Sequence, residues 1–311
     1  MKIITLTLNP AFDLHCLCPS FAANRENIAE ITDFNAAGKG VNISRALAAA
    51  GTQSIAVLAL GKENADDYLT RVRADGLTPV VFENDGRIRE NITLHHTGRE
   101  TRISFPGFAA DETLWSRVEA YLTRVVDSQT VLTVTGSLPV GLEAKQLFGF
   151  LEHSGEIGAK VVIDSRSFSA GDLLRLRPYL IKPNRQELSE LMAQMGEKDE
   201  IRLAERLHRA GIENVLLSKG KDGALLCCRE GILTAVSEAI CPVSTIGAGD
   251  ASIAGFLHAA QVAGNAAERL SSACAFGAAA CLSPGSAPPS SQEIKKQLFR
   301  VRVNRICPGE A

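Results

Sequence analysis

Apolar and polar positions change their period along the chain, and the changes divide it into elements. The opening stretch alternates in apolar character from Ile3 to Leu8 and stops at a polar Asn9-Pro10, which predicts a first strand. Short stretches of strand character follow at Phe12 to Cys16 and Ile28 to Phe34. From Val41 to Ala50 small and apolar residues recur at helical spacing, and Ile55 to Leu60 reads as a buried strand of the parallel kind. The rhythm repeats with a helix over Ala65 to Asp75, a strand over Val80 to Phe82, a helix over Glu112 to Val126 and a strand over Thr130 to Val134. A helix over Glu143 to His153 and strands over Lys160 to Asp164 and Tyr179 to Lys182 extend it. Alternation of this kind predicts an open α/β fold, a parallel sheet with helices on both faces.

Two stretches break the rhythm. Residues 11–35 and 86–106 carry alternating strands, including Ile88-x-x-Asn91-Ile92-x-Leu94 and Thr101 to Phe105, without crossover helices, so they are expected to pair with one another as an antiparallel patch. That patch is a candidate lid, inserted in a core made of residues 1–10, 36–85 and 107–311. Beyond Leu216 come strands near Leu225 to Cys228 and Leu233 to Val236, then two helices of small residues, Ala248 to Ala263 and Ala266 to Cys281.

A length of 311 residues, 45% of them hydrophobic, suffices for two domains or for one large α/β domain with an appendage. The 33 Lys plus Arg against 35 Asp plus Glu leave a net charge of -2, so no global field steers nucleic acid or an anionic membrane. Aromatics are 5%, too few for a base-stacking platform, and no run of ~18 apolar residues could span a bilayer. The 8 cysteines form no C-x-x-C pair and are read as reduced, mostly buried thiols, which with the absence of a signal peptide points to the cytoplasm. The 6 histidines are scattered, and His15, Cys16 and Cys18 read as packing rather than as a metal site.

Candidate chemistry gathers in four segments. Ser244-Thr245-Ile246-Gly247-Ala248-Gly249-Asp250 stands directly before a helix, where glycines let backbone approach an anion and the helix start offers free N–H groups and partial positive charge. A carboxylate beside a phosphate needs its own task, and accepting a proton from an attacking hydroxyl is the obvious one for Asp250. The plain alternative is a helix cap in a tight turn. Lys182-Pro183-Asn184-x-x-Glu187 follows a strand and sets two oxygen-bearing side chains one helical turn apart, suited to hydrated Mg²⁺ or equally to an N-cap with an acidic first turn. Ser218-Lys219-Gly220-x-x-Gly223 lays a hydroxyl and glycine backbone after another strand, or is an ordinary hairpin. In Ala37-Gly38-Lys39-Gly40-x-Asn42 a cation sits at a helix start that disfavours it, so an anion nearby is the economical explanation. No G-x-x-x-x-G-K-[ST], H-R-D or D-F-G occurs, so any ATP chemistry follows another scheme.

Taken together and in this order, T-L-N-P-A-x-D, A-A-G-K-G-x-N, Gly136-Ser137-Leu138-Pro139, K-P-N-x-x-E, S-x-G-x-x-G and S-T-x-G-A-G-D cover essentially the whole chain. The set resembles the ribokinase-like carbohydrate kinases, and within them the phosphofructokinase B branch. The resemblance implies a doubly wound, mostly parallel sheet with a β lid, a homodimer joined through the lid, and ATP-dependent phosphorylation of a sugar phosphate with Mg²⁺. The expected reaction is fructose 1-phosphate to fructose 1,6-bisphosphate, with tagatose 6-phosphate or fructose 6-phosphate as alternative acceptors. It implies Asp250 as catalytic base, the backbone of Gly247, Ala248 and Gly249 as anion hole, and Asn184 and Glu187 as the groups that organise Mg²⁺ through water. Ser218, Gly220, Gly223, Ser244 and Thr245 would lie along the nucleotide. Asp13, Gly38, Asn42 and Asn91 would hold the sugar, and Lys39, Arg89 and Arg102, with Arg25 less securely aligned, its existing phosphate. One departure stands out: Asp164 is followed by Ser165-Arg166-Ser167-Phe168, where relatives usually carry a Ser-Gly pair.

Two rival classes are weighed against this. A Rossmann oxidoreductase is rejected, because the third glycine after Gly247-x-Gly249 is missing and Glu268 and Arg269, ~20 residues on, lie in a helix rather than at a strand end. A sugar-phosphate-binding regulator that kept the fold without the reaction is opposed by the presence of Asp250.

Overall fold

The computed structural model describes residues 1–306. Cys307, one of the cysteines expected to be reduced, lies outside them. In chain order the first elements are β1 (Lys2–Thr7), β2 (Ala11–Leu17), β3 (Glu30–Ala37), α1 (Lys39–Ala49), β4 (Ile55–Gly61), α2 (Ala65–Ala74) and β5 (Val80–Asn84). Then come β6 (Arg89–His96), β7 (Arg99–Ile103), α3 (Leu114–Val125), β8 (Thr130–Thr135), α4 (Phe148–Glu156), β9 (Lys160–Asp164), α5 (Ala170–Leu176) and β10 (Leu180–Ile181). The last are α6 (Arg185–Met195), α7 (Glu200–Arg209), β11 (Asn214–Ser218), β12 (Ala224–Cys228), β13 (Gly231–Ser237), α8 (Ala248–Gln261), α9 (Ala266–Ala280), α10 (Ser291–Leu298) and β14 (Val301–Ile306).

Ten strands make one sheet in the order β14-β13-β12-β11-β10-β9-β8-β1-β4-β5. From β11 to β5 neighbours run parallel, and β12, β13 and β14 extend the other edge antiparallel. Successive residues of each central strand enter opposite layers. Ile3, Val131, Val162 and Leu216 join the core under α1, α8, α9 and α10, whereas Ile4, Leu132, Ile163 and Leu217 join the core under α3, α4, α6 and α7. Burial on both faces is why these strands read as near-continuous apolar runs. The small residues of α8 and α9 let the two helices approach closely: a Cβ on Gly255 would fall 2.4 Å from the Ser272 carbonyl oxygen.

A second sheet, β3-β2-β6-β7, is built from the two stretches that break the rhythm. Its hairpins β2–β3 and β6–β7 are antiparallel as expected, but β2 and β6, which join them, are parallel. Hairpin pairing is local and can be read from adjacent strands, whereas the joining of two hairpins 50 or so residues apart depends on how the core presents them.

Candidate active site

The strand order reverses between β1 and β8, since the chain builds outward from β1 through β4 and β5 and then outward on the other side from β8. Open α/β sheets leave a crevice beyond the carboxyl ends of the strands at such a point. Into it project Asn9 after β1, Gly136-Ser137 after β8, Asp164 at the end of β9 and Lys182 after β10.

Across the crevice stands the start of α8. Val243 and Ser244 both donate from their N–H groups to the Cys281 carbonyl, at 2.8 and 3.3 Å, and the Ser244 Oγ accepts the Ile246 N–H at 3.2 Å. The chain then turns through Gly247 at φ 77°, a left-handed conformation in which a side chain would be strained, and this N-cap offers no capping side chain. The Ala248 N–H reaches back to the Thr245 carbonyl at 3.4 Å. Those of Gly249 and Asp250 have no carbonyl ahead of them within the helix, so the turn is a concentration of outward N–H groups and partial positive charge.

Asp250 lies in this first turn, 7% exposed, and its Oδ2 accepts a hydrogen bond from Asn42 Nδ2 at 2.8 Å. Burial pushes its carboxyl up to about 6; Lys39, the Asn42 hydrogen bond and Lys182 act against the rise, and the Asp164 charge adds to it. A buried carboxylate with this affinity is protonated and deprotonated near neutral pH, as a general base requires.

Sequence reasoning passes over two residues that the fold places beside Asp250. Asp164 is buried and stands between two ammonium groups, with Lys39 Nζ at 3.0 Å from Oδ2 and Lys182 Nζ at 3.9 Å from Oδ1. Burial alone would raise the Asp164 carboxyl, but the two lysines hold it below its ordinary value. Burial likewise works against the Lys39 ammonium, and Asp164, Asp250 and Glu187 outweigh it. Lys182 is 3% exposed, and its Nζ lies only 3.0 Å from where a Cβ on Gly249 would stand, so an ammonium borders the helix start. The signal was a charged residue closing each of two buried parallel strands, at the edge where sites form.

On the other side of the crevice the small sheet contributes Asp13, which is 3% exposed and whose Oδ1 receives Asn91 Nδ2 at 3.0 Å and Arg102 at 2.9 Å. Gly38 packs on Thr7 at the end of β1. The anion expected near Lys39 is, in this structure, Asp164. Lys39 and Arg102 are thus both paired with protein carboxylates, while Arg89 is bonded only to neutral groups, the Phe105 and Asn9 carbonyls at 2.9 and 3.2 Å and the Ser137 hydroxyl at 3.3 Å. Burial and the neighbouring Arg102 weaken the hold of Arg89 on its proton, against Asp13, and its Nε has no protein partner. Arg25 is exposed in the β2–β3 connection. Three buried amide oxygens, Asn9 Oδ1, Asn42 Oδ1 and Asn91 Oδ1, also lack a protein donor. Buried acceptors and a desolvated cation without partners are costly unless a ligand supplies hydroxyls and an anion.

The remaining predicted residues line the C-terminal edge towards β11. Asn184 caps α6: its Oδ1 accepts the Gln186 and Glu187 N–H groups at 2.9 and 3.0 Å, and Glu187 Oε2 accepts the Asn184 N–H at 3.0 Å. The capping alternative is therefore realised in full, and the amide oxygen of Asn184 is engaged by the helix. Ser218 closes β11 and donates from its N–H and Oγ to the Pro183 carbonyl at 3.2 and 3.4 Å, which ties the two motifs side by side. Gly220 and Gly223 form the turn of the β11–β12 hairpin.

Two histidines meet where the sequence suggests none do: His15 Nδ1 and His95 Nε2 stand 3.2 Å apart in the small sheet. Among the described residues no group of three or more His, Cys, Asp or Glu side chains is placed to hold a metal directly.

The profile described as pfkB family carbohydrate kinase matches residues 9–293. The chain is 31% identical to 1-phosphofructokinase of Haemophilus influenzae over 282 residues, covering 89% of this chain and 90% of that protein. It is likewise 31% identical to 1-phosphofructokinase of Borreliella burgdorferi over 307 residues, 98% of this chain and 99% of that one. Among solved structures it is similar to phosphofructokinase-2 from Escherichia coli in complex with substrates and products, with a TM-score of 0.89, 25% identity and coverage of 96% and 99% of the two chains. Ribokinase from Thermotoga maritima shares the fold, with a TM-score of 0.73 and 19% identity over 96% of this chain and 99% of that one.

Proposed function

The chain belongs to the pfkB family of carbohydrate kinases and is an ATP-dependent sugar kinase, and on that premise we propose that its acceptor is a ketohexose already carrying one phosphate, fructose 1-phosphate becoming fructose 1,6-bisphosphate. The observation that carries the proposal is the pairing of Asp250, a buried carboxylate at a helix start, with a crevice whose opposite wall offers unpartnered amide oxygens and the desolvated guanidinium of Arg89. The curated relatives named 1-phosphofructokinase, matching most of the chain, favour fructose 1-phosphate over tagatose 6-phosphate and fructose 6-phosphate.

In this reading Asp13, Gly38, Asn42 and Asn91 hold the sugar hydroxyls, and Arg89, supported by Lys39 and Arg102, holds its phosphate. The acceptor hydroxyl gives its proton to Asp250 as its oxygen attacks the γ-phosphorus of ATP. The N–H groups of Gly247 and Gly249, and that of Ala248 on release of its long bond to the Thr245 carbonyl, with the Lys182 ammonium beside them, balance the charge on the transferring group. Ser218, Gly220, Gly223, Ser244 and Thr245 carry the nucleotide along the sheet edge. A Mg²⁺ ion travelling with ATP supplies neutralisation of phosphate charge. Hard oxygen donors held through water suit it, and with Asn184 Oδ1 engaged as a cap the carboxylate of Glu187 is the group that would hold it.

Residues 11–35 and 86–106 act in this reading as a lid on a core of residues 1–10, 36–85 and 107–311. The lid leaves Leu17, Ile31 and Ile103 exposed on its strands, which supports a homodimer joined through the lids. A need for ATP, together with 7 free thiols among the described residues, supports the cytoplasm as its compartment. Phosphorus NMR of the protein with ATP and fructose 1-phosphate tests the reaction: a second phosphomonoester signal on the sugar is expected, and ATP hydrolysis to free phosphate without one would overturn it.

A further inference from the structure

Arg166 is the residue of the Ser165-Arg166-Ser167-Phe168 departure that the reaction outlined above leaves without a task. It follows the buried Asp164 at the end of β9, and its guanidinium reaches α6, where Nε donates to Glu187 Oε1 at 3.2 Å and Nη2 to Gln186 Oε1 at 3.1 Å. The other oxygen of Glu187 is already occupied by the Asn184 N–H at 3.0 Å. Each carboxylate oxygen of Glu187 thus carries an N–H donor, one fixed in the backbone and one on a movable side chain. The exposures differ accordingly, 15% for the Glu187 side chain and 56% for that of Arg166, so the guanidinium covers the carboxylate from the solvent side.

Behind the pair lies a cavity of about 280 Å³ whose lining includes Asp164, Asp172, Glu187 and Glu190 against Arg166 and Lys182. Four carboxylates and two cations leave this lining net acidic, and at roughly 30 Å³ per water molecule the cavity has room for an ion with its hydration shell. A small divalent cation that sheds water reluctantly would be held at Glu187 through water, and the guanidinium competes with it there by occupying one lone pair of Oε1 and by its like charge.

We propose that Arg166 is a resident counter-ion of Glu187, which a divalent cation arriving with the nucleotide must displace, so that this one side chain raises the Mg²⁺ concentration the enzyme requires. The proposal rests on Glu187 as the group that holds Mg²⁺. Arg166 is a positioning residue in this role and touches neither sugar nor transferring phosphoryl group. A partly exposed ion pair gives way easily, so the effect of removing it is roughly two- to fivefold.

Calorimetric titration of ADP into the full-length protein at a series of free Mg²⁺ concentrations reads the effect without turnover. In Arg166→Ala and Arg166→Gln the Mg²⁺ concentration that half-maximally enhances ADP binding should fall two- to fivefold, while KM for the sugar phosphate stays unchanged. In Glu187→Gln it should rise, and Arg166→Ala added to Glu187→Gln should then have no further effect. An unchanged or raised Mg²⁺ requirement in both Arg166 variants, with Glu187→Gln raising it as expected, overturns the counter-ion role and leaves the metal assignment standing. A Glu187→Gln variant with the wild-type Mg²⁺ requirement overturns both.

Discussion

Asn42 Nδ2 donates a hydrogen bond of 2.8 Å to Asp250 Oδ2 across 208 positions of sequence. The bond joins the first turn of α1 to the first turn of α8, two helices packed against each other under the sheet. It engages one oxygen of the carboxylate and leaves the other the freer of the two to receive a proton.

The pH dependence of kcat follows from this. With Asp250 pushed up to about 6, turnover should rise as pH increases through that value, because the base works only when deprotonated. Asn42 favours the charged form and Asp164 disfavours it, so Asn42→Ala should move the acid limb to higher pH and Asp164→Asn to lower pH. Opposite displacements of one limb are the expected outcome; a limb that moves the same way in both variants contradicts Asp250 as its source.

Asp250→Asn keeps the shape and the acceptor for Asn42 but cannot take a proton, and kcat should fall roughly 10²–10⁴-fold. The same variant should be more stable than the wild type above pH 6. An unfolded carboxyl titrates near 3.8 and the folded one at about 6, so the folded protein pays for holding this charge once both states are ionised. The difference of roughly two pH units corresponds to about 3 kcal/mol, present above pH 6 and fading towards pH 4. Thermal unfolding of both proteins at pH 8 and pH 4 checks it, with a higher Tm for Asp250→Asn at pH 8 only.

If Arg89, bonded only to neutral groups in the crevice, holds the sugar's phosphate, Arg89→Ala should raise KM for the sugar phosphate by roughly 10- to 150-fold, the worth of one charge-assisted hydrogen bond to a phosphate. KM for ATP should change little. Arg102→Ala should behave less cleanly, because it also releases the buried Asp13 carboxylate. Equal effects of Arg89→Ala on both substrates would argue against its place on the sugar's phosphate.

The βαβ rhythm, the break into a small sheet and the glycine-rich start of α8 were legible in the chain because each is a local signal of period or turn chemistry. Other features were not. The helical spacing of Ile201-x-Leu203-Ala204-x-x-Leu207 is a local signal that sequence reasoning passes over, and it forms α7, whereas β14 is an exposed edge strand with little burial to mark it. Asp164 reads in sequence as the end of a strand, and only the meeting of β9 with α1 and β10 gives it two lysines. That two of the cations expected around one phosphate, Lys39 and Arg102, are paired with Asp164 and Asp13 is likewise a property of the folded crevice and leaves no trace in spacing.

Ile31 and Ile103 stand on strands of the small sheet with 61% and 47% exposure. If the lids of two copies cover one another, Ile31→Asp with Ile103→Asp should yield a monomer by sedimentation at micromolar concentration, with weakened sugar binding and an intact core. A wild-type protein that sediments as a fully active monomer contradicts the lid-to-lid dimer.

The acceptor specificity tests the function most directly. Coupled assay of ADP release with fructose 1-phosphate, tagatose 6-phosphate, fructose 6-phosphate and free fructose, at saturating ATP and Mg²⁺, should give the highest kcat/KM for fructose 1-phosphate and the lowest for fructose. A preference for the unphosphorylated sugar, or no ADP release above background with any of the three sugar phosphates, would contradict a kinase built around Asp250 and Arg89.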